Sequence, residues 1–145
     1  MGAKGIATDR AYAVTVIALG RAIEIAVNES GLTSSQFRAL SLVDAGITSG
    51  GVLARFLAVR PPTVTTVMNG LVDDGLVSRA RAEDDRRRVD YEVTAAGRVA
   101  LDAANEVADA VLTSLTEAFG ADDRKAARAG LDIWRAALDA KRTGR

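Results

Sequence analysis

The sequence predicts a mainly α-helical chain carrying one small β-hairpin, and three observations predict it. Apolar residues recur at helical spacing over long stretches, above all residues 8–29 and the segment that follows Thr94. One stretch, residues 76–93, alternates instead like two strands around a charged tip. The only two prolines are adjacent, at 61 and 62, where they suit the first turn of a helix.

Each element can be justified in order. The helix over 8–29 is apolar on much of its circumference, with Val14, Ile17 and Ile25 among residues that one small lobe cannot cover. Such a helix needs partners on more than one side, which points to a subunit interface. Thr33-Ser34-Ser35-Gln36 reads as a capping box that opens a second helix, ending at Gly46. A short strand or turn at Ile47-Thr48 leads to a helix over 52–57, entered through a loose Ser49-Gly50-Gly51. The next helix starts at the prolines and runs to Asp74, with Gly75 as its stop. Two strands, 76–81 and 89–93, flank the polar tip 82–88. Thr94 can cap a long helix to about Phe119, and Asp122 a last one to about Lys141.

Composition excludes several function classes. The chain has 145 residues, enough for one domain with a real core. It has no cysteine, which removes disulfides and thiol chemistry, and no histidine, which removes the commonest general base and metal ligand. The densest carboxylates, Glu83 to Asp85 and Asp122-Asp123, fall at a hairpin tip and a helix start, so no enzyme, metal site or cofactor is expected. The apolar run from Ala11 to Leu19 meets Arg21 and Glu24 too soon for a bilayer span, and no signal peptide is read, so a cytoplasmic location is expected. Lys plus Arg equals Asp plus Glu at 19 each, so any electrostatic footprint must lie in how charge is distributed.

Two short helices joined by a tight turn and followed by a hairpin describe a winged helix-turn-helix. Leu53, Ala54 and Leu57 on the first helix, Val59 in the turn, and Val64 and Val67 on the second are spaced to touch at a steep crossing. With Val64, Val67, Met68 and Leu71 turned inward, about 100° per residue puts Pro62, Thr66, Asn69, Gly70 and Asp73 outward. Asn69 is suited to an adenine edge, and a threonine methyl to thymine. No acidic residue occurs from Ala45 to Val72, while Arg55 and Arg60 do, as a surface meeting phosphates requires. At the hairpin tip, Arg86, Arg87 and Arg88 suit a narrow minor groove.

Residues 32–97 resemble the MarR family of regulators. The resemblance is carried by Leu32-Thr33-x-x-Gln36-Phe37-x-x-Leu40, by Pro62-Thr63-Val64-Thr65 through Leu71 to Gly75-Leu76-Val77, and by Asp85-x-Arg87 with Val93-Thr94-x-x-Gly97. It implies a homodimeric regulator, acting as a repressor on double-stranded DNA with a near-palindromic operator. It also implies a small aromatic or anionic effector that releases the DNA. By position, Arg60, Pro62, Thr63, Thr65 and Thr66 fall where the family contacts DNA from its recognition helix. Arg87 would enter the groove from the wing, with Asp85 orienting it. Residues 1–31 and 95–145 would form the dimerisation helices, with Leu131, Trp134 and Leu138 joining Val14, Ile17 and Ile25 at the interface, and residues 32–94 the winged lobe. The chain departs from the pattern at Thr66 and Gly70, where large polar residues are usual, and at Ala58, where the family has glycine. A winged-helix module acting only through protein contact is the alternative that the neutral helix face leaves open.

Overall fold

The computed structural model describes residues 9–81 and 89–144. The elements follow the expected order: α1 (Asp9–Glu29), α2 (Ser34–Asp44), α3 (Gly50–Leu57), α4 (Pro61–Asp73), β1 (Val77–Arg81), β2 (Val89–Val93), α5 (Ala95–Thr116) and α6 (Ala121–Thr143). Boundaries moved in three places. α3 starts at Gly50, so both glycines belong to the helix and not to a loose lead-in. α5 stops at Thr116 rather than Phe119, and Gly120, not Asp122, caps α6.

The core lies in the winged lobe. Leu40 of α2, Leu53 of α3, Met68 and Leu71 of α4, Val27 of α1 and Val77 of β1 are its largest fully buried side chains. Ala54 is buried where α3 crosses α4, and Leu57 and Val64 close the same joint. Val59 does not: it stands exposed in the turn, because the chain turns outward there. Val67 packs only partly against the core.

Local chemistry sets the helix ends. The Thr33 hydroxyl accepts from the Gln36 amide at 3.1 Å while Gln36 Oε1 accepts from the Thr33 N–H at 3.0 Å, so the capping box is complete. α3 ends with Ala58 in the left-handed region (φ 57°, ψ 43°), and the Val59 N–H reaches back to the Ala54 carbonyl. The Arg38 guanidinium donates to the Leu57 carbonyl at 3.2 Å, satisfying one more orphaned acceptor of that last turn. α4 closes the same way around Gly75 (φ 72°), with the Leu76 N–H on the Leu71 carbonyl.

The hairpin is antiparallel, pairing Val77 with Val93, Arg79 with Tyr91 and Arg81 with Val89. Ile47-Thr48 contributes no full strand; a single bridge joins Ser49 to Asp90, and the Tyr91 N–H donates to the Thr48 carbonyl. Thr94 ties the hairpin to α5. Its hydroxyl accepts from the Gly97 N–H at 3.0 Å and donates to the Gly75 carbonyl at 2.7 Å. Gly97 must be glycine, because a Cβ there would come within 2.0 Å of the Leu76 carbonyl oxygen.

The remaining helices are poorly covered by their own chain. α6 buries none of its 23 residues. α1 packs chiefly on α5, leaving most of its apolar surface exposed. By length and composition α1 suffices to cross a membrane, with a mean hydropathy of 1.4 over Ala11–Glu29. Arg21 and Glu24 do not prevent that; they form an ion pair at 2.8 Å on the helix surface.

Candidate nucleic-acid interface

The surface that sequence reasoning assigned to DNA is built on α4 and its flanks. Pro61 and Pro62 carry no N–H, and the Thr63 and Val64 N–H groups already donate to the Arg60 carbonyl. This helix start therefore offers little backbone to an anion. Positive charge at this end comes from the side chains of Arg60, which is exposed at the cap, and of Arg55 in the last turn of α3.

Pro62, Thr63, Thr65 and Thr66 are all exposed along one side of α4, opposite the buried Val64, Met68 and Leu71. The Thr65 and Thr66 hydroxyls donate to the carbonyls of Pro61 and Pro62, at 3.2 and 3.1 Å. Each hydroxyl thus has its proton committed to the helix and keeps lone pairs for an incoming donor. Gly70 lies elsewhere. A Cβ on it would meet Gln36 Nε2 at 3.6 Å, so it faces α2 rather than open solvent, and a large side chain would have to displace that contact.

Asn69 is half-buried and engaged. Its Oδ1 accepts from the Arg79 guanidinium at 2.5 Å, joining α4 to β1. Sequence reasoning did not single out Arg79. The signal was present, though: alternation along β1 puts residue 79 on the same face as the buried Val77, where an apolar residue is the norm. The wing residues Asp85, Arg86, Arg87 and Arg88 lie outside the described residues.

Charge is unevenly compensated. Among the described residues the arginine–carboxylate pairs are Arg21–Glu24, Arg98–Asp44, Arg128–Asp109, Arg135–Asp132 and Arg142–Asp139, and none involves α3, α4 or the hairpin. Arg38, Arg55, Arg60 and Arg79 hold no carboxylate among the described residues, so the cations of the winged lobe are not cancelled. A net charge of zero thus conceals a lobe with free positive charge.

Two other surfaces flank this one. A cleft of about 280 Å³ opens between α2, α3 and the end of α6, lined by Phe37, Arg38, Ser41, Leu42, Phe56 and Arg142. The Arg142 guanidinium sits 5.8 Å from the centre of the Phe56 ring. Away from the lobe, all six residues expected at an interface are exposed: Val14, Ile17, Ile25, Leu131, Trp134 and Leu138.

A family profile described as "MarR family" matches residues 30–88. An uncharacterized HTH-type transcriptional regulator of Mycobacterium bovis is 30% identical over 135 residues, covering 92% of this chain and 93% of its own. Among solved structures, wild-type MarR from E. coli superposes with a TM-score of 0.78 at 20% identity, over 90% of this chain and 97% of that one. The transcriptional repressor CouR, bound to a 23-mer DNA duplex, gives 0.71 at 27% identity over 86% and 89%.

Proposed function

The chain belongs to the MarR family of DNA-binding transcriptional regulators, and from that premise we propose that it is a homodimeric repressor of a near-palindromic operator. The observation that carries this reading is the lobe whose arginines lack carboxylate partners, set beside an exposed, acid-free helix face. On this reading α4 enters a major groove with Arg60, Pro62, Thr63, Thr65 and Thr66, and Arg55 holds a flanking phosphate. The tip residues Arg86, Arg87 and Arg88 enter the adjacent minor groove, with Asp85 orienting Arg87. Residues 32–94 touch DNA, while 1–31 and 95–145 pair the subunits. The relatives are regulators rather than enzymes, and a cytoplasmic location, with no membrane partner, follows from the role.

A dimer of this kind presents two identical helices, so its operator must repeat with half-sites about one helical turn apart, roughly 10 bp. Footprinting on the DNA upstream of the chain's own gene is expected to show a symmetric protected region. Full affinity for a single asymmetric half-site contradicts the reading, and no binding to any duplex at low salt favours a protein-contact module. Losing Arg87 is expected to weaken binding to every sequence and to lower the slope of log affinity against log salt by about 0.9. Asp85→Ala should give a milder form of the same change. An Arg87→Ala protein with unaltered affinity and slope removes the wing from the interface.

An effector is the last component. The cleft between α2, α3 and α6 pairs two aromatic rings with two guanidinium groups, which suits a small aromatic anion. Its walls belong both to the DNA-reading lobe and to a dimerisation helix, so filling it changes their relative position.

A further inference from the structure

We infer that Arg79 is a further DNA-contact residue, seated by Asn69 on the line between helix α4 and the wing, where it takes a phosphate of the strand separating the two grooves. The inference rests on the docking described above, with α4 in a major groove and the hairpin tip in the neighbouring minor groove. One sugar-phosphate strand divides those grooves, so a protein that occupies both must straddle it. The residues joining α4 to the hairpin face that strand, and the Asn69–Arg79 bond is such a junction.

Three observations place a working cation there. Arg79 stands opposite the buried Tyr91 on the hairpin's inner face, yet it is exposed. Its stem therefore runs out from the core and carries the charged head to the surface. Its partner is neutral, unlike the carboxylates that hold Arg98 or Arg128, so the guanidinium keeps its full charge. Finally, a guanidinium has five N–H donors, and Asn69 is the only partner recorded for it among the described residues.

The bond also fixes Asn69. A guanidinium cannot accept, so the amide must turn Oδ1 toward Arg79 and Nδ2 away. Asn69 then acts as a positioning residue: it holds the Arg79 fork in one orientation and does not read a base by itself.

Salt dependence separates this role from a structural one. A randomised duplex library is selected with the wild-type protein and sequenced. Affinities are then measured for the selected duplex and a scrambled one over a roughly fourfold rise in salt. Arg79→Gln is expected to lower the salt slope by about 0.9 on both duplexes, which is three- to fourfold in affinity across that range. Asn69→Asp keeps the pair but cancels its charge, so the slope should fall similarly while the fold is retained. This variant decides the matter if Arg79→Gln does not fold. Arg79→Lys should restore the slope. Unchanged slopes in both Arg79→Gln and Asn69→Asp overturn the inference. So does an Asn69→Ala protein that keeps its slope but changes preference at one base position, since Asn69 then reads DNA directly. A wild-type protein that binds no duplex defeats the docking itself, which is a different failure.

Discussion

Ala58 is the one described non-glycine residue with positive φ, at 57°. A Cβ in that region crowds the following carbonyl and costs about 1–2 kcal/mol, part of which glycine returns through greater freedom in the unfolded chain. Ala58→Gly is therefore expected to raise stability by about 1 kcal/mol, read as a higher urea midpoint with unchanged slope; no shift, or a lower midpoint, removes the strain argument. The position was legible beforehand, because the resemblance put a glycine there and a tight turn needs one conformation. The Asn69–Arg79 bond was not, since it joins two elements through side chains 10 residues apart and no local pattern encodes that reach. Gly70 shows the same limit. Helical geometry set it outward, and only the position of α2, with Gln36 against it, places it in a contact.

At the scale of elements, the order of helices and strands followed from periodicity and caps, while boundaries shifted where side chains from further along intervened. α5 stops at Thr116 and not at Phe119; the Arg124 guanidinium then captures the Phe119 carbonyl at 2.8 Å, which fixes the turn into α6. A second tie follows: Arg128 of α6 bonds Asp109 of α5 at 2.8 Å and the Thr113 hydroxyl at 3.2 Å. That hydrogen bond, and after it the charge of Arg128, lowers the Asp109 carboxyl below its ordinary 3.8. A lowered carboxylate pKa contributes stability that is complete above the ordinary value and lost as pH falls through the depressed one. Asp109→Asn should therefore be less stable than wild type at neutral pH in low salt, and the two should converge in acid below about pH 3 and in high salt, where exposed charges are screened. Both partners are more than half exposed, so the difference is small. Urea midpoints of both proteins that differ by the same amount in acid as at neutrality exclude the ion pair as its source.

For the whole molecule, the unanswered demand is the apolar surface of α1 and α6. The winged lobe closes on its own core, but α6 buries nothing, and Ile17 and Trp134 remain 71% and 68% exposed. Val16 and Leu19 of α1 face Leu131, Trp134 and Leu138 of α6 across a groove of about 510 Å³. The sequence already carried this much, because a helix apolar nearly all round cannot be satisfied in one small lobe. It could not supply the geometry, which depends on a second copy of the chain. Covering each such side chain is worth roughly 1.5–3 kcal/mol, so a stable monomer leaving all of them in water is disfavoured. Trp134 makes the pairing measurable, for it is the only tryptophan in the chain. At micromolar concentration its emission should be that of a shielded indole, and dilution should move it to the red as the subunits separate, in step with the sedimentation coefficient. Leu138→Glu, which puts a charge in the same stripe, should shift that transition to concentrations at least about tenfold higher, since 1.4 kcal/mol is already a factor of ten. Helicity should stay near wild type, because the winged lobe does not depend on α6. If wild-type Trp134 emits as an exposed indole at every concentration, and the protein sediments as a monomer with full helicity, then the apolar stripe serves something other than a second copy, and a two-fold operator loses its basis.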